Sequence, residues 1–188
     1  MGIDNVYLVK GERSIVVDGG QPGKFGPFAR KLRQAGVSPS DIGLIVATHG
    51  HWDHIQAVPA VRDAGYDVGI TAADAAMLPS YDFVMEDESV IEVGRLRLHT
   101  ILNPGHTPGS MSFSLEGSPV LFSGDTLFPG GPGNTKTEEG DFDTIICSIE
   151  DRMFAAFPEH TIVMPGHGLD TTIGDERPHL QEWIDRRW

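Results

Sequence analysis

The chain has 188 residues, 39% hydrophobic and 22% charged, proportions ordinary for a folded protein large enough to bury its own core. Its formal net charge of −13 disfavours a broad nucleic-acid or anionic-membrane footprint. No apolar run approaches the ~18–20 residues that span a bilayer, and Met1 to Val6 show neither a basic-then-apolar leader nor the Ser/Thr of a myristoylation signal. A cytoplasmic location is therefore the default expectation. Cys147, the single cysteine, has no partner for an internal disulfide and is expected as a small buried apolar residue.

No repeat or linker divides the chain, so one domain over residues 1–188 is expected. Val6–Val9 and Ser14–Val17 read as strands around a Lys10–Arg13 turn. Pro27–Ala35 suits a helix with Phe28, Leu32 and Ala35 on one face and Gly36 as its stop. Ile42–Ala47 is a buried strand running straight into a His/Asp cluster, and a helix from about His54 to Ala64 follows, closed by Gly65. Val68–Ile70 reads as a strand, with Thr71 and Asp74 as a capping box for another helix. The acidic stretch 79–89 reads as a loop. Val90–Val93 with Leu96–Leu102 form a hairpin around Gly94-Arg95, and Met111–Leu115 with Val120–Ser123 a further strand pair. Thr144–Phe157 is a helix ending before Pro158, and Thr161–Met164 is a last strand. Strands mixed with helices indicate a layered α/β or α+β domain.

Chemistry concentrates in His49-Gly50-His51-Trp52-Asp53-His54. In an extended segment His49, His51 and Asp53 alternate onto one side, while His54 comes from the turn into the helix. Imidazole suits zinc or iron, and an ionised carboxylate offsets the cation's charge. Four ligand-type residues in six positions point to metal. Three later segments repeat one design, an apolar strand followed by a glycine turn with a ligand-type residue: Asn103 to Ser110 with His106, Ser123 to Thr126 with Asp125, and Met164 to Gly168 with His167.

The set His49, His51, Asp53, His54, His106, Asp125 and His167 resembles the metallo-β-lactamase superfamily over nearly the whole chain. The GHTPGS, SGDTLF and PGHG segments, with Thr171 to Glu176 after the last ligand, are most similar to small glyoxalase II-like hydrolases. That resemblance implies an α+β four-layer αβ/βα sandwich. It implies one metal on His49, His51 and His106, a second on Asp53, His54 and His167, and Asp125 bridging both. Asp18 matches a supporting carboxylate. Two zinc ions are the expected cofactors, with iron or manganese as the other metals considered. Asp53 and Asp125 are the expected catalytic carboxylates.

Two ions ~3.5–4 Å apart would lower the pKa of a shared water toward neutrality for attack on a small ester, thioester or lactone. Ser110 and Ser123 then read as structural. Trp52 either walls the pocket or packs under its loop. Gln56 and Ala57 stand where the family often has glycines, and Asn134 where related sequences often carry Arg. Lys136 offers a positive charge or is a solvated loop residue. No counterpart of the glutathione-gripping helical domain of full glyoxalase II enzymes follows His167, which argues for another substrate. Trp183, Ile184 and Trp188 are expected to cover a core edge or to support self-association, beside solvated Arg186 and Arg187. The rival enzyme class is an iron-dependent persulfide dioxygenase using His49, His106 and Asp125. β-Lactam hydrolysis is disfavoured because Asp125 occupies the bridging position of the non-lactamase branches. Expected partners are a small-molecule substrate, no nucleic acid and no membrane, with a monomer or homodimer left open.

Overall fold

The computed structural model describes residues 4–20 and 25–187; the Met1–Ile3 opening and Trp188 lie outside them. Two sheets lie face to face. The first runs β1 (Tyr7–Val9), β2 (Ser14–Val17), β3 (Ile42–Val46), β4 (Val68–Thr71) and β5 (Phe83–Met85). β1 and β2 are antiparallel and every later pair is parallel. The parallel connections carry α1 (Phe25–Gln34), α2 (Trp52–Ile55) and α3 (Val58–Asp63). The second sheet is ordered β13-β12-β9-β8-β7-β6, from β6 (Val90–Val93), β7 (Leu96–Leu102), β8 (Met111–Leu115), β9 (Val120–Gly124), β12 (Ile162–Pro165) and β13 (Thr171–Thr172). A small hairpin, β10 (Leu127–Phe128) and β11 (Gly131–Pro132), follows β9. Outside the second sheet pack α4 (Phe142–Ser148) and its π-helical continuation Ile149–Phe154, with α5 (Ile173–Glu176) and α6 (Leu180–Arg186) after β13.

Three cores separate four layers. Strand alternation sorts the residues: Ile15 and Val17 face the inter-sheet core with Leu44, Val46, Leu98 and Phe113, while Val16 and Ile45 face Leu32, Val58 and Val61 of the first helical layer. Leu121 and Val163 turn outward to Ile145, Ile149, Met153 and Trp183, whereas Phe122 turns inward. The expected αβ/βα sandwich is the architecture observed.

Several elements differ from expectation. The helix expected from His54 to Ala64 is two, α2 and α3. The His54 carbonyl accepts from Gly19 and Gly20 N–H at 2.9 and 3.0 Å, and Ala57 N–H donates to Gly20 O at 3.0 Å instead of into a helix. Pro59 then has no N–H to give. Residues 79–89 are not all loop, since β5 pairs in register with β4. Helix α1 buries Leu32 but leaves Ala35 exposed, and the side chain of Phe28 lies outside what is described. Cys147 is exposed rather than buried. Trp183 fills the third core at 1% exposure, as expected of a helix covering a core edge. Arg186 and Arg187 are exposed, as expected, and form surface ion pairs with Glu182 at 2.8 Å and Asp143 at 3.1 Å. Among the described residues no helix is long and apolar enough to cross a membrane.

Candidate metal centre

The seven expected ligands converge where β3, β7, β9 and β12 end. Donor atoms of His49, His51 and His106 lie within 4.8 Å of one another, as do those of Asp53, His54 and His167 and those of His49, His54 and Asp125. His51 Nδ1 stands 2.8 Å from His106 Nε2, and His54 Nε2 stands 3.2 Å from His167 Nε2. Asp125 spans the two groups, its Oδ2 3.6 Å from His106 Nε2 and 3.5 Å from His167 Nε2, its Oδ1 3.5 Å from His54 Nε2. Asp53 Oδ2 is 3.2 Å from His167 Nε2. A tetrahedral ion with bonds of ~2.0–2.1 Å sets donor–donor edges of about 3.4 Å, so most of these separations bracket what such an ion requires.

The far side of three rings decides which nitrogen faces inward. Thr48 Oγ1 donates to Asp18 Oδ2 at 3.0 Å, so toward His49 Nδ1, also 3.0 Å away, it can only accept. His49 Nδ1 therefore carries the proton and Nε2 the free lone pair. His106 Nδ1 faces the Asn134 carbonyl at 2.7 Å and His54 Nδ1 faces Asp18 Oδ2 at 2.9 Å, again leaving Nε2 for a cation. Among the described residues, buried His49 Nε2 and Asp125 Oδ1 have no hydrogen-bond partner. A buried polar atom seldom goes unpaired, and a pair of them aimed into one pocket fits a cation there.

Electrostatics agree. Burial, then the neighbouring imidazoles, holds His49 well below the ordinary histidine range, and burial with His51 lowers His106 to about 4. Burial also lowers His51, against the pull of Glu139 and Asp53. For His54 burial opposes the charge, but Asp18 at its back outweighs it and raises the group to about 9. Burial raises Asp125 to about 6. Neutral imidazoles are the form that binds metal, and burial favours that form at His49, His51 and His106; at His54 a cation has to displace the proton that Asp18 stabilises.

The surroundings hold these donors still. Asp18 adopts φ +65, a left-handed conformation uncommon for a side chain with Cβ, and its Oδ1 accepts from Thr48 N–H at 2.7 Å. Asn5 and Tyr7 pin the His167 loop: Asn5 N–H donates to Gly166 O at 2.7 Å, Asn5 Nδ2 to Gly168 O at 3.0 Å, and the Tyr7 hydroxyl to Pro165 O at 2.6 Å. Glu176 accepts from Gly130 N–H at 2.9 Å and from Thr171 Oγ1 at 2.6 Å, tying the β10–β11 hairpin to α5. Ser110 and Ser123 are structural, as expected: both are buried, Ser110 Oγ accepting from Thr107 N–H and Ser123 Oγ donating to Leu127 O. Trp52, 49% exposed, does not pack under its loop.

Thr71 and Asp74 are not a capping box. Only a short 3-10 turn, Ala75–Met77, follows, and the Asp74 side chain does not cap it. It bonds instead to the loops of His49–His51 and His106. Asp74, Glu176, Asn5 and Tyr7 are residues that sequence reasoning missed. Asp74 left a signal, an acid beside a strand end that reads equally well as a helix start, and Glu176 lies in the family-like Thr171 to Glu176 segment without its own role showing there.

The fold and site define a metal-binding α+β sandwich of the hydrolase type. The family model of the metallo-β-lactamase superfamily matches residues 2–167, and the chain belongs to that superfamily. It is 30% identical to the Bacillus subtilis protein named "Probable metallo-hydrolase YqgX", over 93% of this chain and 90% of that one. It is 29% identical to the hydroxyacylglutathione hydrolase GloC of Haemophilus influenzae, over 73% and 74% of the two chains. Among solved structures, one described as the B3 metallo-β-lactamase BLEG-1 superposes with TM-score 0.82 at 28% identity, covering 95% of this chain and 96% of the other. TTHA1623, described in a di-iron-bound form, superposes with TM-score 0.79 at 26% identity, covering 93% and 92%.

Proposed function

We propose that the chain hydrolyses a small neutral ester, thioester or lactone, with two zinc ions as cofactors. His49, His51 and His106 would hold one ion, Asp53, His54 and His167 the other, and Asp125 would bridge. The observation that carries this reading is the pair of unpartnered buried atoms, His49 Nε2 and Asp125 Oδ1, inside a ring of imidazoles turned inward by Thr48, Asp18 and Asn134. Bound there, the ions supply a water-derived nucleophile at neutral pH and Lewis acidity for the carbonyl under attack. The chain's own part is positional. Asp18 and the Asn134 carbonyl keep two imidazoles in one tautomer. Asp53 and Asp125, the carboxylates proposed as catalytic, are partly open at 20% and 12% side-chain exposure. Either can orient an attacking water or take its proton.

Charge supports a neutral substrate. The chain carries −13 overall, and the charge of Glu139 is felt at His51. Both repel a bulky anionic thiol conjugate. The name of the Haemophilus influenzae relative makes a glutathione thioester the rival substrate, and that of the B3 enzyme adds a β-lactam to the panel. The test is metal analysis of protein purified without added metal, then kcat/KM for short esters, thioesters, lactones, a glutathione thioester and a β-lactam at low and high salt. Zinc near two equivalents with the small neutral substrates ahead at both salts is expected. A glutathione thioester clearly ahead at both salts overturns the substrate assignment, and iron near one equivalent favours the dioxygenase reading.

A further inference from the structure

Asp74 is fully buried at the start of the turn after β4, and among the described residues no basic side chain hydrogen-bonds its carboxylate. Its donors come from two other loops. Oδ2 accepts from Gly50 N–H at 2.9 Å and from Thr107 Oγ1 at 2.6 Å, and Oδ1 accepts from Gly109 N–H at 2.7 Å. Gly50 lies between His49 and His51, and Thr107 directly follows His106. One carboxylate thus joins the two loops that supply the first three-histidine set.

The join has no slack. A Cβ on Gly109 would collide with Thr71 Oγ1 and stand 2.5 Å from Asp74 Oδ1. A Cβ on Gly50 would stand 2.5 Å from Met77 Sδ and 2.8 Å from Met77 Cβ. Thr71 Oγ1 adds a bond to Gly109 O at 2.8 Å, and Met111 N–H ties the start of β8 to Thr48 O at 2.8 Å. Both loops are pressed onto residues 71–77, with Asp74 as the shared acceptor. On the far side of this join His51 Nδ1 and His106 Nε2 meet at 2.8 Å.

We propose that Asp74 is a positioning residue that sets the separation of His51 and His106, and through it the affinity and geometry of the first metal position. The proposal rests on the metal reading above. Its action is indirect, since Asp74 hydrogen-bonds the loops rather than any ligand side chain. An ionised carboxylate suits this place because it only accepts, and all three partners only need to donate to it. Asparagine at 74 keeps the shape but turns an NH2 toward at least one of those donors, so one loop must move off.

The experiment uses the full chain stripped of metal and titrated with Co2+, read by its visible spectrum, and with Zn2+ against a competing chelator. Wild type should take up two equivalents; no uptake would defeat the metal reading itself and leave nothing to position. With wild-type binding in hand, Asp74→Asn should weaken uptake at the three-histidine position by about 10–100-fold, the usual effect of losing an outer partner of a ligand set, with an altered Co2+ spectrum. Thr107→Val removes a single donor and should shift the same affinity in the same direction by less; it carries the test if Asp74→Asn does not fold. Trp183→Phe, in the third core, is the comparison for lost stability alone and should leave the Co2+ spectrum unchanged. Wild-type affinity and spectrum in folded Asp74→Asn, or in Thr107→Val should that be the variant that folds, overturns the proposal.

Discussion

Gly166 precedes His167, and a methyl group there reports how tightly the second ligand set is held. A Cβ on Gly166 would collide with Asp125 Oδ1 and stand 2.7 Å from His54 Cε1. Ordinary carbon–carbon contacts are about 3.5–4.0 Å, so the imidazole or the loop must yield by roughly an ångström. Neither moves freely. Gly166 N–H donates to Gly124 O at 2.8 Å, and its carbonyl accepts from Asn5 N–H at 2.7 Å. His54 is fully buried and held by Asp18 at 2.9 Å. Gly166→Ala is therefore expected to cost about 1–3 kcal/mol of stability through overpacking. It should also open the 3.2 to 3.5 Å edges among His54, His167 and Asp125 past the span of one ion. Metal content after dialysis against a weak chelator should fall from two ions toward one, with hydrolysis lost alongside. Gly168→Ala is the control: its φ of +77 makes a side chain strained, by about 1–2 kcal/mol, but among the described residues no atom lies within 4 Å of the new Cβ. It should lose stability and keep both ions. Two ions at wild-type affinity in Gly166→Ala would refute the reasoning.

Tyr7→Phe removes the 2.6 Å bond to Pro165 O; about 0.5–1.5 kcal/mol should be lost in urea unfolding, with weaker retention of metal at the proposed Asp53, His54 and His167 position in chelator competition. Trp183→Ala empties the third core and should cost about 3–5 kcal/mol. If residues 1–188 are one domain, fluorescence and circular dichroism should follow a single transition in both wild type and variant; two transitions would count against it. Asp82 is bonded by Arg62 at 2.9 Å, and this holds its carboxyl below the usual range. A depressed folded value means that the pair's stabilisation is complete above the unfolded carboxyl's titration and disappears as pH falls through the folded one. Asp82→Asn should cost less than about 1 kcal/mol at neutral pH, a gap that closes in acid and is measured by thermal melts across pH.

The strands that alternate or run apolar were legible because burial on one or both faces writes itself into residue type. Val16 against Ile15 and Val17 shows this directly, since the three divide between two cores. β5 was not legible: it joins β4 through backbone bonds, leaves Val84 exposed, and is set among acids. The convergence of the donor residues was legible because four of them crowd into His49 to His54, and the glycine turns around His106, Asp125 and His167 repeat one design. Asp74 was misread because a buried acceptor for distant loops and a helix cap look alike in sequence; only the fold brings Gly50, Thr107 and Gly109 to it. The break between α2 and α3 likewise depends on Gly19 and Gly20 taking the His54 carbonyl, a contact between segments far apart in the chain.

The bond from Gly130 N–H to Glu176 joins the segment after β13 to the candidate metal centre. Gly130 turns the β10–β11 hairpin, Gly133 N–H closes that hairpin onto Thr126 O at 3.1 Å, and the next residue, Asn134, presents the carbonyl that keeps His106 in its metal-ready tautomer. Glu176 and Asn134 thus sit at opposite ends of one short hydrogen-bonded hairpin. The segment around Glu176 therefore braces the hairpin beside the candidate metal centre, while α6 covers the third core.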